Sequence, residues 1–176
     1  DGIRDGIPIC LGYFFFFFSF GLTAVLSGIP PWAAVVISLT NLTSAGQFAG
    51  MNLLVAQGAL VEIGLTTLII NIRYFLMSIS VSQKVEQKMT MKERMAIAFG
   101  ITDEIFAVSI QRDHELTTAY MTGLILTPVL GWSGGTLAGA IASSLMPPIL
   151  SNAFGIALYG MFIAIIIPPA REHKNV

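Results

Sequence analysis

Residues 6–61, GIPICLGYFFFFFSFGLTAVLSGIPPWAAVVISLTNLTSAGQFAGMNLLVAQGALV, contain no Asp, Glu, Lys or Arg. A helix needs about 20 mostly apolar residues to cross roughly 30 Å of hydrocarbon, so this stretch has room for two spans. A second charge-free run, from Leu116 to Ala170, has room for two more. Lipid is therefore the expected solvent for most of the chain, and helices satisfy their own backbone groups there. The expected fold is an all-α, polytopic integral membrane protein with about seven hydrophobic segments, some discontinuous or re-entrant, in a single domain over residues 1–176.

Composition agrees. Of 176 residues, 55% are hydrophobic and 11% charged, against roughly 25% charged in a soluble domain. The net charge of -1 offers nothing to attract nucleic acid. Cys10 is the single cysteine, which leaves no intrachain disulfide and no cysteine cluster for a metal. No cofactor or metal is expected. The hydrophobicity persists to the end of the chain, unlike a cleaved leader followed by a soluble domain. The chain starts at Asp1 without a methionine and stops shortly after an apolar segment, so it is expected to be a truncated piece.

Apolar runs broken by Pro, Gly or charge give candidate helices at about 8–27, 32–54, 58–80, 94–111, 116–131, 134–149 and 151–168. Tyr13 to Phe18 is apolar on every face, as suits contact with lipid or a partner subunit. Pro30-Pro31, Pro147-Pro148 and Pro168-Pro169 should each end or break a span. The first two lie in charge-free sequence, where they mark either interhelical turns or the interrupted helices of a repeat-built transporter. No residue-level repeat is evident between the halves. Gly46/Gly50 and Gly131/Gly135/Gly139 have the spacing of close helix contacts.

Lys84, Lys88, Lys92 and Arg94 make residues 81–94 the most basic connection, which the positive-inside rule places in the cytoplasm. Four full crossings between 94 and 168 would return the tail, with Arg171 and Lys174, to that side. Counting back three crossings puts the N-terminus outside, with a re-entrant first segment as the alternative.

Polar residues inside apolar segments are the candidate functional groups. Arg73 lies near the middle of the third segment, where a charge costs on the order of 2.5 to 3.5 kcal/mol on insertion scales. Glu62 shares its face, because eleven steps of about 100° come nearly full circle, and is a candidate ion-pair or proton-relay partner. Asn71 points to a different neighbour. The second segment carries Ser44 and Gln47 at i, i+3 among small residues, a pattern that lines a small polar cavity or bonds helix to helix. Thr102-Asp103-Glu104 sits midway through the fourth. Its carboxylates point about 100° apart, so one can pair with Arg73 while the other meets substrate or a proton. Alternatively, Thr102 is the N-cap of a helix beginning near 103.

Gly131-Trp132-Ser133-Gly134 matches the G-x-S-G of intramembrane serine proteases, but His114 and His173 lie off the spans. No base therefore faces Ser133, which reads instead as an N-cap. An enzyme is not expected.

Ser44, Gly46-Gln47-Phe48-Ala49-Gly50, Asn71-Ile72-Arg73 and Thr102 to Ala107 together resemble the AzlC family. So do Gly2-Ile3-Arg4 with Ile7-Pro8 and Gly12, and Gly131-Trp132 with Gly135-Thr136. The similarity runs from about residue 2 to 168. It implies the large subunit of a two-component exporter in the cell membrane. Its substrates would be valine, leucine, isoleucine and sometimes methionine, its partner a small AzlD-like membrane subunit, and its driving force the proton gradient. Ser44, Gln47, Asn71, Arg73, Asp103 and Glu104 are the candidates for substrate binding or coupling. The competing classes are a structural or interaction subunit that moves no solute, and a channel for another small solute.

Overall fold

The computed structural model describes residues 1–145. They form α1 (Gly2–Leu26), α2 (Pro31–Thr40), α3 (Ser44–Val55), α4 (Leu60–Ser82), α5 (Met91–Phe99), α6 (Asp103–Gln111) and α7 (Thr118–Ala142). Among the described residues, only α1, α4 and α7 are long and apolar enough to cross a membrane. The other four, at about 1.5 Å per residue, reach roughly 14–18 Å, half the hydrocarbon thickness.

Several expected boundaries move. The segment expected at 32–54 is two helices, because the chain leaves helical geometry at Asn41 and Thr43 is extended. The segment expected at 94–111 is also two, split at residues 100–102, where the Thr102 side chain accepts the backbone N–H of Ile105. Conversely, the break expected between the segments at 116–131 and 134–149 is absent: Thr118–Ala142 is one continuous helix through Pro128. Ser133 is therefore not an N-cap: its hydroxyl bonds back to the Val129 carbonyl at 2.9 Å, and Thr117 caps the helix instead. The glycines around it serve contact with α1 rather than a turn. Pro30-Pro31 is an interhelical turn with Pro31 as the first residue of α2. The 151–168 segment, Pro147-Pro148, Pro168-Pro169, Arg171, His173 and Lys174 lie outside the described residues.

Each pair of short helices folds back on itself. Gln47 on α3 donates to Ser38 on α2 at 2.8 Å; in one continuous helix nine residues would separate these positions by about 13 Å. For α5–α6, the flanking chain closes the hairpin. Lys84 reaches the carbonyls of Ile110 and Arg112, and Val85 pairs with Leu116.

The two hairpins enter from opposite ends. Helices α1 and α7 run parallel, with Gly2 against Tyr120, Gly131 against Cys10, Gly135 against Phe14 and Gly139 against Phe18. The start of α1 lies beside the end of α4: Asp1 pairs with Arg112 at 3.7 Å, Tyr120 donates to Asp5 at 2.9 Å, and Glu86 accepts from the Thr118 backbone at 3.0 Å. A long helix followed by a half-length hairpin thus occurs twice, the second time inverted, and α7 starts the pattern again. These helices begin at Gly2, Leu60 and Thr118, an even spacing, and Leu42-Thr43-Ser44 and Ile101-Thr102-Asp103 occupy corresponding tips. The repeat absent at residue level is present in the order of elements.

This geometry corrects the topology expected from counting segments. Because α2–α3 turns back, one crossing disappears, and the N-terminus lies at the same end as the basic 81–94 connection. The α5–α6 return and the fusion into α7 likewise remove the four-crossing count that placed the tail.

Two apolar clusters hold the arrangement. One is aromatic, with Phe17 stacked on Trp132 at 3.5 Å between ring centroids, Tyr13 edge-on to Trp132 at 4.9 Å, and Phe20 edge-on to Phe48. The other joins Val81, Ile97, Ile105, Leu116 and Leu124 at the opposite end. The Phe run divides by helical period: Phe17 is fully buried, while Phe15 is 72% exposed.

Candidate functional site

The tips of the two hairpins meet beside the middle of α1, so two helix N-termini, those of α3 and α6, face one cavity of about 790 Å³. Its polar wall is Ser44, Arg73, Asp103 and Glu104; its apolar wall is a stripe of α1 that includes Pro8, Ile9, Gly12 and Phe16. Short helices place these groups at mid-depth because each hairpin is only half a membrane long. Partial positive charge from unpaired backbone N–H groups gathers at such tips.

The α6 tip is heavily partnered. Arg73 of α4 pairs with Asp103 at 2.9 Å. The Tyr13 hydroxyl of α1 donates to Thr102 Oγ1 at 2.6 Å and contacts the Glu104 carboxylate. The adjacent carboxylates therefore take different neighbours, as their 100° divergence requires. Arg73 also lies over the ring of Tyr74, 5.1 Å from its centroid. The cap and the ion pair coexist: Thr102 caps the helix while Asp103, its first residue, pairs with Arg73.

The α3 tip is different. Its N-cap, Thr43, makes no side-chain capping bond. Among the described residues, Thr43 Oγ1 and Asn71 Oδ1 are buried polar atoms without a hydrogen-bond partner. Both crowd Gly46, where an added Cβ would collide with them. That accounts for the glycine: α3 approaches Asn71 of α4 closely only without a side chain there. This tip thus retains unused hydrogen-bonding capacity next to the cavity.

Ser44 lines the cavity beside Arg73. Gln47, its i+3 neighbour, does not. Its amide is fully buried, donating to Ser38 at 2.8 Å and accepting from the Trp132 ring N–H at 3.2 Å, while Ser38 bonds Thr136 at 2.7 Å. This closed network ties the first hairpin to α7. Glu62 sits in the first turn of α4, about 16 Å along the helix from Arg73, and Asp103 takes the ion pair in its place. Tyr13 was missed from sequence because it reads as one more ring in an aromatic run; its hydroxyl at the head of that run was the available signal. His114 is exposed in the connection after α6, far in sequence and element from Ser133, and no base contacts that serine in the described structure.

A family model described as AzlC protein matches residues 8–146. Inner membrane protein YgaZ of Escherichia coli (strain K12) is 27% identical over 182 residues, covering 99% of this chain and 74% of that protein. An uncharacterized membrane protein of Archaeoglobus fulgidus is 28% identical over 169 residues, covering 95% and 74%. Another, from Helicobacter pylori (strain 26695), is 26% identical over 147 residues, covering 82% and 64%. No solved structure matches.

Proposed function

This chain belongs to the AzlC family, and from that premise we propose that it is a permease of the cell membrane that exports branched-chain amino acids. Valine, leucine, isoleucine and methionine are its substrate class. The observation that carries this reading is the asymmetry of the two hairpin tips. A zwitterion with an aliphatic side chain needs a donor-rich site for its carboxylate, an anion for its ammonium and an apolar wall. The uncapped α3 tip, with its free backbone N–H groups, the Ser44 hydroxyl on the cavity and the unpartnered Thr43 hydroxyl behind it, suits the carboxylate. Glu104 and Asp103 at the α6 tip suit the ammonium, and the α1 stripe suits the side chain.

Transport then proceeds by alternating access. One hairpin hangs from each end of the bundle, and the amino acid bridges them at mid-depth, so relative movement of the hairpins exposes it to one side at a time. The Arg73–Asp103 pair ties α4 to the second hairpin. A proton on Glu104 or Asp103 weakens the hold on ammonium and on Arg73, which couples release to the proton gradient. A small AzlD-like subunit is the proposed partner. The most apolar 18-residue stretch of α4 has none of its residues buried, and supplies apolar surface for that subunit or for lipid. The reading makes the chain a carrier, with no bond made or broken.

The test is efflux of labelled leucine from vesicles holding the full-length protein and its small partner, with and without a pH gradient. Gradient-sensitive efflux competed by valine is the expected result. Arg73→Ala should abolish it while the protein remains folded, and undiminished export by that variant removes Arg73 from the mechanism. Folded wild-type protein that releases no more leucine than empty vesicles removes the substrate class.

A further inference from the structure

Three glycines of α1 are explained by their neighbour helix. A Cβ on Gly2 would strike the Tyr120 carbonyl, one on Gly6 would press on Thr127 and Pro128, and one on Gly21 would strike the Thr136 carbonyl. Gly12 is not explained this way: among the described residues, a Cβ there meets nothing within 4 Å. Glycine in a helix interior costs about 1 kcal/mol relative to alanine, and no close backbone approach among the described residues offsets it at Gly12. Gly64 of α4 is also unobstructed among the described residues, but it does not line the large cavity. Gly12 lies on the large one, with Pro8, Ile9 and Phe16 at the i−4, i−3 and i+4 positions around it. Apart from the Tyr13 hydroxyl, which is engaged by the α6 tip, the polar groups of that cavity come from α3, α4 and α6, which leaves the Pro8, Ile9, Gly12 and Phe16 stretch of α1 for the apolar end of whatever binds.

We propose that position 12 determines which side chains the cavity admits, the absent side chain of Gly12 being the space that a branched aliphatic chain fills. The proposal rests on the transport reading above and deepens it. Adding methyl groups at position 12 shortens the apolar wall from α1 without touching another helix. The larger substrates are therefore excluded first. One methylene too many in an apolar pocket discriminates by roughly tenfold or more.

Two measurements test it. In the first, Gly12→Ala and Gly12→Val are made in the full-length protein with its partner, and leucine, isoleucine, methionine, valine and alanine efflux is compared. The expected result is a graded loss: Gly12→Val loses leucine and methionine about tenfold more than alanine, and Gly12→Ala lies between. Equal loss for every amino acid, or an unchanged rank order, overturns size selection. In the second, Gly12→Cys in a Cys10→Ser background is treated with a small methanethiosulfonate reagent. Modification slowed by leucine and not by glutamate is expected. A folded protein that never reacts overturns the placement of position 12 on an open cavity. If wild-type protein moves no amino acid yet the cysteine reacts, the cavity stands, and the transport reading and the size selection both fall.

Discussion

Tyr13 shows how one atom changes a residue's role. Its ring belongs to the aromatic cluster through Trp132, but its hydroxyl reaches across 89 residues of sequence to the cap of α6 at Thr102. Tyr13→Phe keeps the ring and removes the link. We expect a stability loss of about 1 kcal/mol in a denaturation series, with a larger fall in leucine efflux and an altered dependence on the pH gradient. An unchanged pH dependence would separate Tyr13 from coupling. Arg73 was visible in the sequence because a guanidinium in an apolar segment demands a partner. Which partner it takes was not visible: Glu62 has the helical register, but Asp103 has the proximity, supplied by a hairpin fold that no local pattern encodes. Exchange of the pair, Arg73→Asp with Asp103→Arg, is expected to restore folded yield lost in either single variant, as read by size-exclusion chromatography. Failure of the exchange to improve on both singles would mean that the ion pair does not hold the tip.

At the level of elements, the contact between α1 and α7 is the most demanding. Gly131, Gly135 and Gly139 each bring α7 backbone against an α1 carbonyl, those of Cys10, Phe14 and Phe18. A side chain at any of them meets backbone, which cannot swing aside. Gly135→Val should therefore destabilise the fold by about 1–3 kcal/mol or more, seen as a lower midpoint of thermal aggregation, whereas Gly134→Val, at a site in ordinary contact with only the Phe14 ring, should leave it nearly unchanged. Equal effects at the two positions would overturn this register. The same Gly-x-x-x-Gly spacing was legible in sequence as a packing signal; its partner helix and its parallel direction were not, because small-residue spacing marks one surface only. Helix interruptions were legible in part. The Pro pair at 30–31 is the interhelical turn that Pro suggests, and the break before Asp103 follows the capping alternative offered by Thr102, but the break at 41–43 carries no Pro or charge to mark it and rests on contacts with α4 that lie far away in sequence.

For the whole molecule, the inverted pair of units has a consequence for orientation. The first residues of α1 contact the chain around Arg112 and Tyr120, at the end where α4 finishes. With the basic 81–94 connection in the cytoplasm, Arg4 lies there as well, and Gln57, between α3 and α4, lies outside. Single cysteines at positions 4 and 88 in a Cys10→Ser background should therefore be labelled by an impermeant maleimide from the same face of oriented vesicles, and one at position 57 from the other. Labelling of 4 and 88 from opposite faces would reinstate a full crossing by α2–α3.

The sequence by itself determined the solvent, the helical class, the family and most of the polar residues that gather at the site. Those features rest on composition and on residue types whose burial in lipid is costly wherever they sit. Only the tertiary structure decided that four of the apolar stretches are half-length, that they form hairpins from opposite ends, that Gln47 belongs to a buried tie while Ser44 faces the cavity, and that Gly12 is left open. These outcomes depend on which backbones approach one another across many tens of residues. The free energy of that choice lies in packed Gly contacts and in the pairing of buried polar groups, both of which exist only once the helices have met.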